Sequence, residues 1–298
     1  GGMARGDDGG WASASPSAYV AMGRKPVFRV RTRLGREVRT TASHPFLTPE
    51  GWRPLASLEE GSTVAVPREL PIFGSDRLPG AEVGLLGYLT GSVSPLGDGP
   101  ALSCSDPVVA LDLRELGARA ALEVVDRTAD PAIPRYDVDH CPTIDRLAHR
   151  HRISTDPALR RVPEAVYRLP RHQLAAYLNR VLAIGGSTWV PAGAAGRGRV
   201  LLASPSPRLV RDLQHLFLRF GINAAVRAPI VAANDSAWVS HELEISGGED
   251  LQRLVDHIGV LGQQAALEEL VAHARVTSER VLVGRGPSGV RDATALPG

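Results

Sequence analysis

Histidine is the side chain whose ordinary titration range falls nearest neutral pH, and it is the usual proton donor or acceptor in catalysis. The histidines therefore come first. His44 closes the run Thr40-Thr-Ala-Ser-His44, with Thr41 three residues before it, a Thr-x-x-His pair at the end of an extended stretch. Alone, a hydroxyl and an imidazole in a hairpin are most often surface decoration. His140-Cys141, His149 and His151 lie close in sequence but have no Cys-x-x-Cys pair and no regular spacing, so they read as loop histidines rather than a zinc site. The other unusual stretch is Gly84-Leu-Leu-Gly-Tyr-Leu-Thr-Gly91, followed by Ser92 and Val93. A glycine inside a helix costs about 1 kcal/mol relative to alanine. Gly84, Gly87 and Gly91 fall at i, i+3 and i+7, on one helical face. Their presence there makes sense if a second helix backbone comes close. Asp98-Gly99, a few residues on, is the nearest carboxylate downstream, in a loop.

The elements that must position these residues fall into two kinds. Residues 19–70 carry short β-branched stretches: Phe28 to Thr32 and Glu37 to Ser43 flank a hairpin loop at Arg33-Leu-Gly-Arg36, and Ser62 to Val66 reads as a further strand ending at Pro67. A turn-rich linker, Pro71 to Pro79, follows. The rhythm then changes to a helix over 81–91, a strand over 101–104, a long helix over 107–127 opened by Ser105-Asp106, and a weak helix near 144–150. The plan recurs as a helix over 172–184, a strand pair at 187–190 and 199–203, and a helix over 207–220 capped by Ser206 and stopped by Gly221. Strands at 223–227 and 238–245 and helices at 249–259 and 263–274 complete it. Two passes of helix, strand pair and long helix make an internal repeat too long for a solenoid, and they suggest a pseudo-dimer about one two-fold axis.

Composition narrows the function classes. The chain has 298 residues, 43% of them hydrophobic, and no apolar run long enough for a membrane span. Gly1 to Ala18 is Gly/Ser/Asp-rich, lacks the apolar core of a signal peptide, and reads as disordered. Cys104 and Cys141 are the two cysteines, which argues against a disulfide framework and for a reducing, cytoplasmic location. The net charge of +2 is uneven: residues 1–77 hold 11 basic and 8 acidic side chains, and residues 78–276 hold 20 and 22. A domain that grips DNA phosphates usually carries a basic excess, and the larger part of this chain does not.

Leu-x-Gly-Tyr-Leu-x-Gly at 85–91 resembles the LAGLIDADG motif of dodecapeptide homing endonucleases. The second copy is Leu174-Ala-Ala-Tyr-Leu-Asn-Arg-Val-Leu-Ala-Ile-Gly-Gly-Ser187, and the resemblance continues through Arg161 to Tyr167, Arg208 to Ile222, and Ile258-Gly-Val-Leu-Gly262. The resemblance implies two packed helices, each ending in an aspartate that holds divalent metal over the scissile phosphates. Ser92 and Gly185 stand where those aspartates belong. Serine brings no carboxylate charge and glycine brings no ligand, so the resemblance implies a degenerate nuclease, with no cofactor here and Mg²⁺ only ancestral. Restoring both carboxylates, Ser92→Asp with Gly185→Asp, is expected to create a metal site. Arg197, Arg199 and Arg227 would lie on or beside the strands lining the family's DNA-facing saddle.

Upstream, Thr40 to His44, Pro45-Phe-Leu-Thr-Pro-Glu-Gly-Trp52 and Leu55-Ala-Ser-Leu-Glu-Glu-Gly61 together resemble block B of inteins. The flanking Thr32 to Arg36 and Val66 to Leu70 are most similar to inteins found in replicative DNA helicases. The resemblance implies that His44 protonates a departing amide nitrogen while Thr41 helps hold the strained peptide. No cysteine precedes His44, Ser13, Ser15 and Ser17 lie in the Gly/Ser-rich stretch, and no His-Asn closes the chain. The expectation is therefore a fragment that cannot splice as given.

The expected architecture is α+β: a disordered 1–18, a partial β-rich intein (Hint) segment and linker over 19–77, and a pseudo-two-fold LAGLIDADG αββαββα duplex over 78–276. The repeats are expected at about 78–150 and 160–276, with a flexible tail from 277. The expected function is that of a helicase-type intein fragment whose endonuclease domain has lost cleavage. It would be monomeric, with flanking splicing segments and, weakly, double-stranded DNA as partners. The alternatives are a non-catalytic LAGLIDADG DNA- or RNA-binding module and a structural remnant with no partner.

Overall fold

Alternating and β-branched residues build a series of short antiparallel ladders before the first helix. The computed structural model describes residues 2–5, 11–14, 18, 23–92, 101–192, 198–233 and 236–283. β1 (Gly2–Arg5) pairs with β2 (Trp11–Ala14), so part of the stretch that reads as disordered is a strand pair, with Ser13 on its second strand; Ser15 and Ser17 lie outside the described residues. β3 (Val27–Arg31) pairs with β4 (Glu37–Thr41) across the predicted turn, Arg29 opposite Arg39. β5 (Pro45–Thr48) and β6 (Gly51–Pro54) form a further hairpin, turning through Pro49-Glu50 into Gly51, whose φ of 101° favours glycine. The strand expected over 62–66 joins no ladder among the described residues. Ala65 N–H donates to the Leu47 carbonyl at 2.8 Å, and Pro67, which has no N–H, ends the extension.

The first helical half holds α1 (Gly80–Gly91), β7 (Leu102–Cys104), α2 (Pro107–Ala120), β8 (Val124–Asp126), β9 (Tyr136–Val138) and α3 (Pro142–His151). Its sheet runs β7-β9-β8. Asp106 caps α2, its carboxylate accepting from Val108 N–H at 2.7 Å and Val109 N–H at 3.2 Å, with Pro107 pre-set for the first turn. The long helix expected to reach Arg127 stops at Ala120. Ala121 takes a left-handed φ of 53°, and Val124-Val125 leave to pair with β9.

The second half holds α4 (Arg171–Gly185), β10 (Gly186–Trp189), β11 (Arg199–Ser204), α5 (Pro207–Leu218), β12 (Ala225–Arg227), β13 (Ile230–Ala233), β14 (Ser236–Val239), β15 (His241–Ile245), α6 (Gly248–His257) and α7 (Gln264–Val283). The four-stranded sheet runs β10-β11-β15-β12, and β13-β14 stand apart as a hairpin. The single strand expected over 238–245 is divided at Ser240, whose N–H turns to the Pro229 carbonyl. α7 runs past the predicted end at Ala274 to Val283, and residues 284–298 lie outside the described residues.

The buried apolar side chains of both halves form one contiguous core, from Leu86, Leu89 and Leu113 to Leu178, Val181, Leu213, Phe217, Leu243 and Leu251. The N-terminal hairpin is fastened onto the second half. Val226 N–H donates to the Leu34 carbonyl at 2.9 Å, and the buried Gln214 amide donates to Leu34 O at 2.8 Å and Ala224 O at 2.9 Å. Arg36 donates to Pro67 O and Asn223 Oδ1. Gly35 sits so close to the Val226 carbonyl that no β-carbon fits, and its φ of 79° is left-handed.

Candidate functional site at the helix junction

α1 is buried on every side from Val83 to Gly91, because it lies between α2 and α4. Its first turn carries Glu82, which bonds His151 Nε2 of α3 at 2.6 Å and lies 3.4 Å from Arg150. A β-carbon on Gly87 would stand 2.7 Å from the Tyr177 carbonyl, and one on Gly91 would stand 2.5 Å from the Val181 carbonyl. Both contacts are with the backbone of α4, closer than real β-carbons come. Gly84 departs from the expectation. A β-carbon there would meet Leu116 Cδ1 at 2.7 Å, so this glycine accommodates α2 and not α4. The three glycines therefore serve two neighbours, Gly84 facing α2 and Gly87 and Gly91 facing α4, which also reaches the start of α1 where the Gln173 amide bonds the Leu78 backbone.

The ends of α1 and α4 meet. Ser92 caps α1 with extended backbone, its N–H returning to the Tyr88 carbonyl at 2.9 Å, and Gly185 closes α4. The β-carbon position of Gly185 lies 3.5 Å from Gly91 Cα. Adding one Cα–Cα step and one C–C bond, the Ser92 and Gly185 α-carbons lie within about 9 Å. Two carboxylates at that separation would share metal ions. Here the residues do not fit a metal. A β-carbon on Gly185 would run into the Gly91 carbonyl oxygen, so any side chain at residue 185, an aspartate included, requires the backbones of the two helix ends to move apart. Ser92 is buried, and its carbonyl oxygen accepts from the Arg160 guanidinium. Arg160 is 1% exposed, also donates to Ser154 O at 3.2 Å, and burial lowers its pKa to about 10, leaving it charged at neutral pH. No group of three or more potential ligands occurs among the described residues. Asp98 lies outside them.

A polar lock ties three helices just before this junction. Tyr88 Oη donates to Asp112 Oδ2 at 2.6 Å, and Arg180 of α4 meets the same carboxylate with both prongs, at 3.2 and 2.8 Å. Burial first, then this bond to Asp112, pushes the Tyr88 phenol far above its ordinary range. A counterpart stands in the second half. Asp212 of α5, six residues after Ser206 as Asp112 is after Asp106, takes Val162 N–H at 3.3 Å and is hydrogen-bonded by Tyr167. Burial raises the Asp212 pKa. The sequence reading missed both carboxylates. The shared spacing from a cap followed by proline could have found them.

Beside the junction a cleft of about 660 Å³ runs between the two sheets, lined by Cys104, Asp106, Arg135, Ile184, Ser187 and Gln263 among others. Gln263 holds its rim, accepting from Thr188 N–H at 2.8 Å and donating to Gly186 O at 3.1 Å. Of the arginines expected on the saddle, Arg199 is on β11 with its guanidinium over the Trp189 ring, 5.8 Å from the centroid. Arg227, on β12, lies 3.7 Å from Glu244 and opposite Glu242. Arg197 lies outside the described residues.

Thr41 and His44 come together in the tight turn between β4 and β5. His44 N–H donates to Thr41 O at 3.1 Å, and the imidazole meets Phe46 edge-on, 5.4 Å between centroids. The Thr41 hydroxyl lies 3.3 Å from Ser43 Oγ. Leu55 N–H and Ala56 N–H close the turn onto His44 O and Ala42 O, both at 2.9 Å. His44 is exposed and available to an incoming group.

Residues 188–259 match the family model of the LAGLIDADG-like domain. The chain is 32% identical over 287 residues to the replicative DNA helicase DnaB of Rhodothermus marinus, covering 88% of this chain and 29% of the helicase. For the Synechocystis sp. DnaB the figures are 29% identity, 88% and 31%. A replication factor C small subunit of Methanocaldococcus jannaschii is 24% identical, over 82% of this chain and 13% of that protein. Among solved structures, the N-terminal LAGLIDADG domain of DUF199/WhiA overlays 64% of this chain and 82% of that one, with a TM-score of 0.37 and 12% identity. The chain spans under a third of the length of the helicases it matches. No helix among the described residues is long and apolar enough to cross a membrane. The chain is thus an α+β protein that carries a LAGLIDADG-like domain and is similar to part of the DnaB replicative helicases.

Proposed function

We propose that this chain is an intein-type element of a replicative DNA helicase, in which a splicing (Hint) segment over 19–77 precedes a duplex LAGLIDADG domain that no longer cleaves DNA. The observation that carries the loss of cleavage is the junction of α1 and α4: the two helix ends meet, yet they bring a glycine packed against the Gly91 carbonyl and a buried serine where two carboxylates would be needed. Water activation by shared metal ions has no ligands there. The repeated helix–sheet–helix plan, with Asp112 and Asp212 at matching positions, supports a pseudo-two-fold duplex. Similarity to a helicase over most of this chain and under a third of the helicase supports an element lodged within that kind of protein. No Gly-x-x-x-x-Gly-Lys-Ser/Thr phosphate loop occurs in the sequence, so the element itself lacks the usual nucleotide-binding loop. In the splicing segment Thr41 and His44 take the roles of strained-peptide holder and general acid.

Co-expression with flanking splicing segments and reporter proteins tests this reading. Ligated reporter is the expected product, and His44→Ala abolishes it. Ligation that survives His44→Ala, or no ligation with any flanking segment of the helicase type, contradicts the splicing assignment. The cleavage claim is checked separately by incubating the chain and Mg²⁺ with duplexes carrying an uninterrupted helicase insertion site, where intact duplex is expected and a double-strand break refutes it.

A further inference from the structure

Positive charge in this protein concentrates on the β3–β4 ribbon, away from the sheets beside the helix junction. Between Arg24 and Arg39 stand seven basic residues and one carboxylate, Glu37, and all of the basic ones except Arg36 are exposed. Cross-strand partners in an antiparallel pair share a face. Arg29 is directly opposite Arg39, and Arg31 opposite Glu37. Like charges placed opposite each other weaken a ribbon. Among the described residues neither Arg29 nor Arg39 has a carboxylate in salt-bridge range, since Glu37 is taken up by Arg211 at 3.2 Å and Arg31 at 4.0 Å. A ribbon that keeps such a pair uncompensated is suited to an anion brought from outside. Its other face carries the exposed Phe28 and Val38.

The ribbon is presented rigidly. Its turn is pinned by Val226, Gln214 and Asn223, and a crevice of about 390 Å³ lined by Arg39, Arg211 and His215 leads from it to α5. By contrast, the second-half sheet sets Arg227 against Glu244 and Glu242, a balanced surface.

We infer that the β3–β4 ribbon, with Arg211 beside it, is a duplex-DNA-binding surface that grips the phosphate backbone through Arg29, Arg31 and Arg39. Residues i and i+2 on a strand lie about 6.7 Å apart, close to two axial steps of about 3.4 Å each along one strand of DNA. Guanidinium forks suit phosphate oxygens, and a two-stranded ribbon fits the major groove. This surface does not depend on the splicing or LAGLIDADG reading.

The test is fluorescence anisotropy of a labelled duplex of about 30 base pairs with the full chain, titrated at several salt concentrations between about 50 and 200 mM. Binding is expected with a log–log salt slope of roughly −3, about −0.9 per phosphate contact. Arg29→Ala with Arg39→Ala should flatten the slope by about 2 and weaken binding at low salt at least tenfold. Arg29→Lys with Arg39→Lys should keep the slope. Arg199→Ala with Arg227→Ala should leave affinity within about twofold. No binding by the parent, an unchanged slope in the alanine pair, or loss confined to the Arg199/Arg227 pair overturns the inference. Displacement of the duplex by polyglutamate at equal charge concentration overturns the choice of DNA. Should the alanine pair melt below the parent, amide exchange decides instead: slower exchange across residues 27–41 of the parent on adding duplex is expected, and unaltered exchange there refutes the surface.

Discussion

Gly91 and Gly185 face each other across the α1–α4 junction so closely that the carbonyl oxygen of the first occupies the place where the second would carry a β-carbon. Backbone against backbone, this contact substitutes packing for the paired carboxylates that would stand at two such helix ends. It also makes the junction sensitive to single methyl groups. Gly91→Ala would press a β-carbon 2.5 Å from the Val181 carbonyl, and overpacking of this kind typically costs about 1–3 kcal/mol. Gly80→Ala, with nothing within 4 Å, is the control and should be neutral or slightly stabilising. Urea denaturation of both variants and the parent checks this. Equal loss in the two alanine variants would contradict the close approach.

The lock formed by Tyr88, Asp112 and Arg180 joins three helices through one carboxylate. Asp112→Ala leaves the Arg180 guanidinium and the Tyr88 hydroxyl without that acceptor, and removing one partner of such a charge-assisted network costs about 3–5 kcal/mol when it is buried. Asp112 is 15% exposed and Arg180 is 24% exposed, so the expected loss is nearer the lower end. Tyr88→Phe keeps the ion pair and should cost roughly 1 kcal/mol. Chemical denaturation ranks the two variants, and a cost for Tyr88→Phe equal to that for Asp112→Ala would contradict the network.

His215 supplies a pH dependence. Burial, then the neighbouring Arg219, lowers its pKa below the ordinary 6.5. The native state therefore binds fewer protons than the unfolded state as pH falls through 6.5, so this contribution is fully present above 6.5 and declines from there down to the lowered native value. His215→Gln cannot be protonated and should remove that part of the decline. The stability of the parent relative to the variant should fall as pH drops from about 7.5 to 5, and parallel curves would contradict the shifted pKa.

Gln214 tests the attachment of the N-terminal hairpin. Its side-chain amide bridges Leu34 and Ala224, and Gln214→Ala takes this donor from the buried Ala224 carbonyl while Leu34 O keeps Val226 N–H, at a cost of about 1–3 kcal/mol. Hydrogen exchange should quicken most at Val226, whose N–H bonds Leu34, while amides in α1 stay as they were. Uniform quickening would point to general destabilisation and not to a local attachment.

Much of this was legible in the residues. The glycine spacing announced a close helix approach, Asp106-Pro107 and Ser206-Pro207 announced two helix starts, and the helix ends fell at Ser92 and Gly185. What failed was tertiary in origin. The helical periodicity after Pro107 gave no sign that Ala121 would turn left-handed and release Val124-Val125 to the sheet. Gly84 shares a face with Gly87 and Gly91, and sequence cannot tell which of two neighbouring helices covers which turn. The guanidinium of Arg160 at the end of α1, and Gln214 across the hairpin turn, act over separations of 68 and 180 residues, where no local pattern operates. The arginines expected on the saddle were found by their position in a resemblance, whereas charge counted along β3 and β4 indicates a different surface.

The claim at the centre of this account is that the α1–α4 junction is closed by backbone contact between Gly91 and Gly185 and holds no divalent ion. Paramagnetic broadening by Mn²⁺ tests it most directly, read amide by amide in the unmodified chain. With Mn²⁺ raised to millimolar concentration, the amides of Ser92, Gly185 and Gly186 should broaden no more than other amides of equal exposure. Selective broadening centred on Ser92 and Gly185 at micromolar Mn²⁺ would show a functioning metal centre and contradict the account.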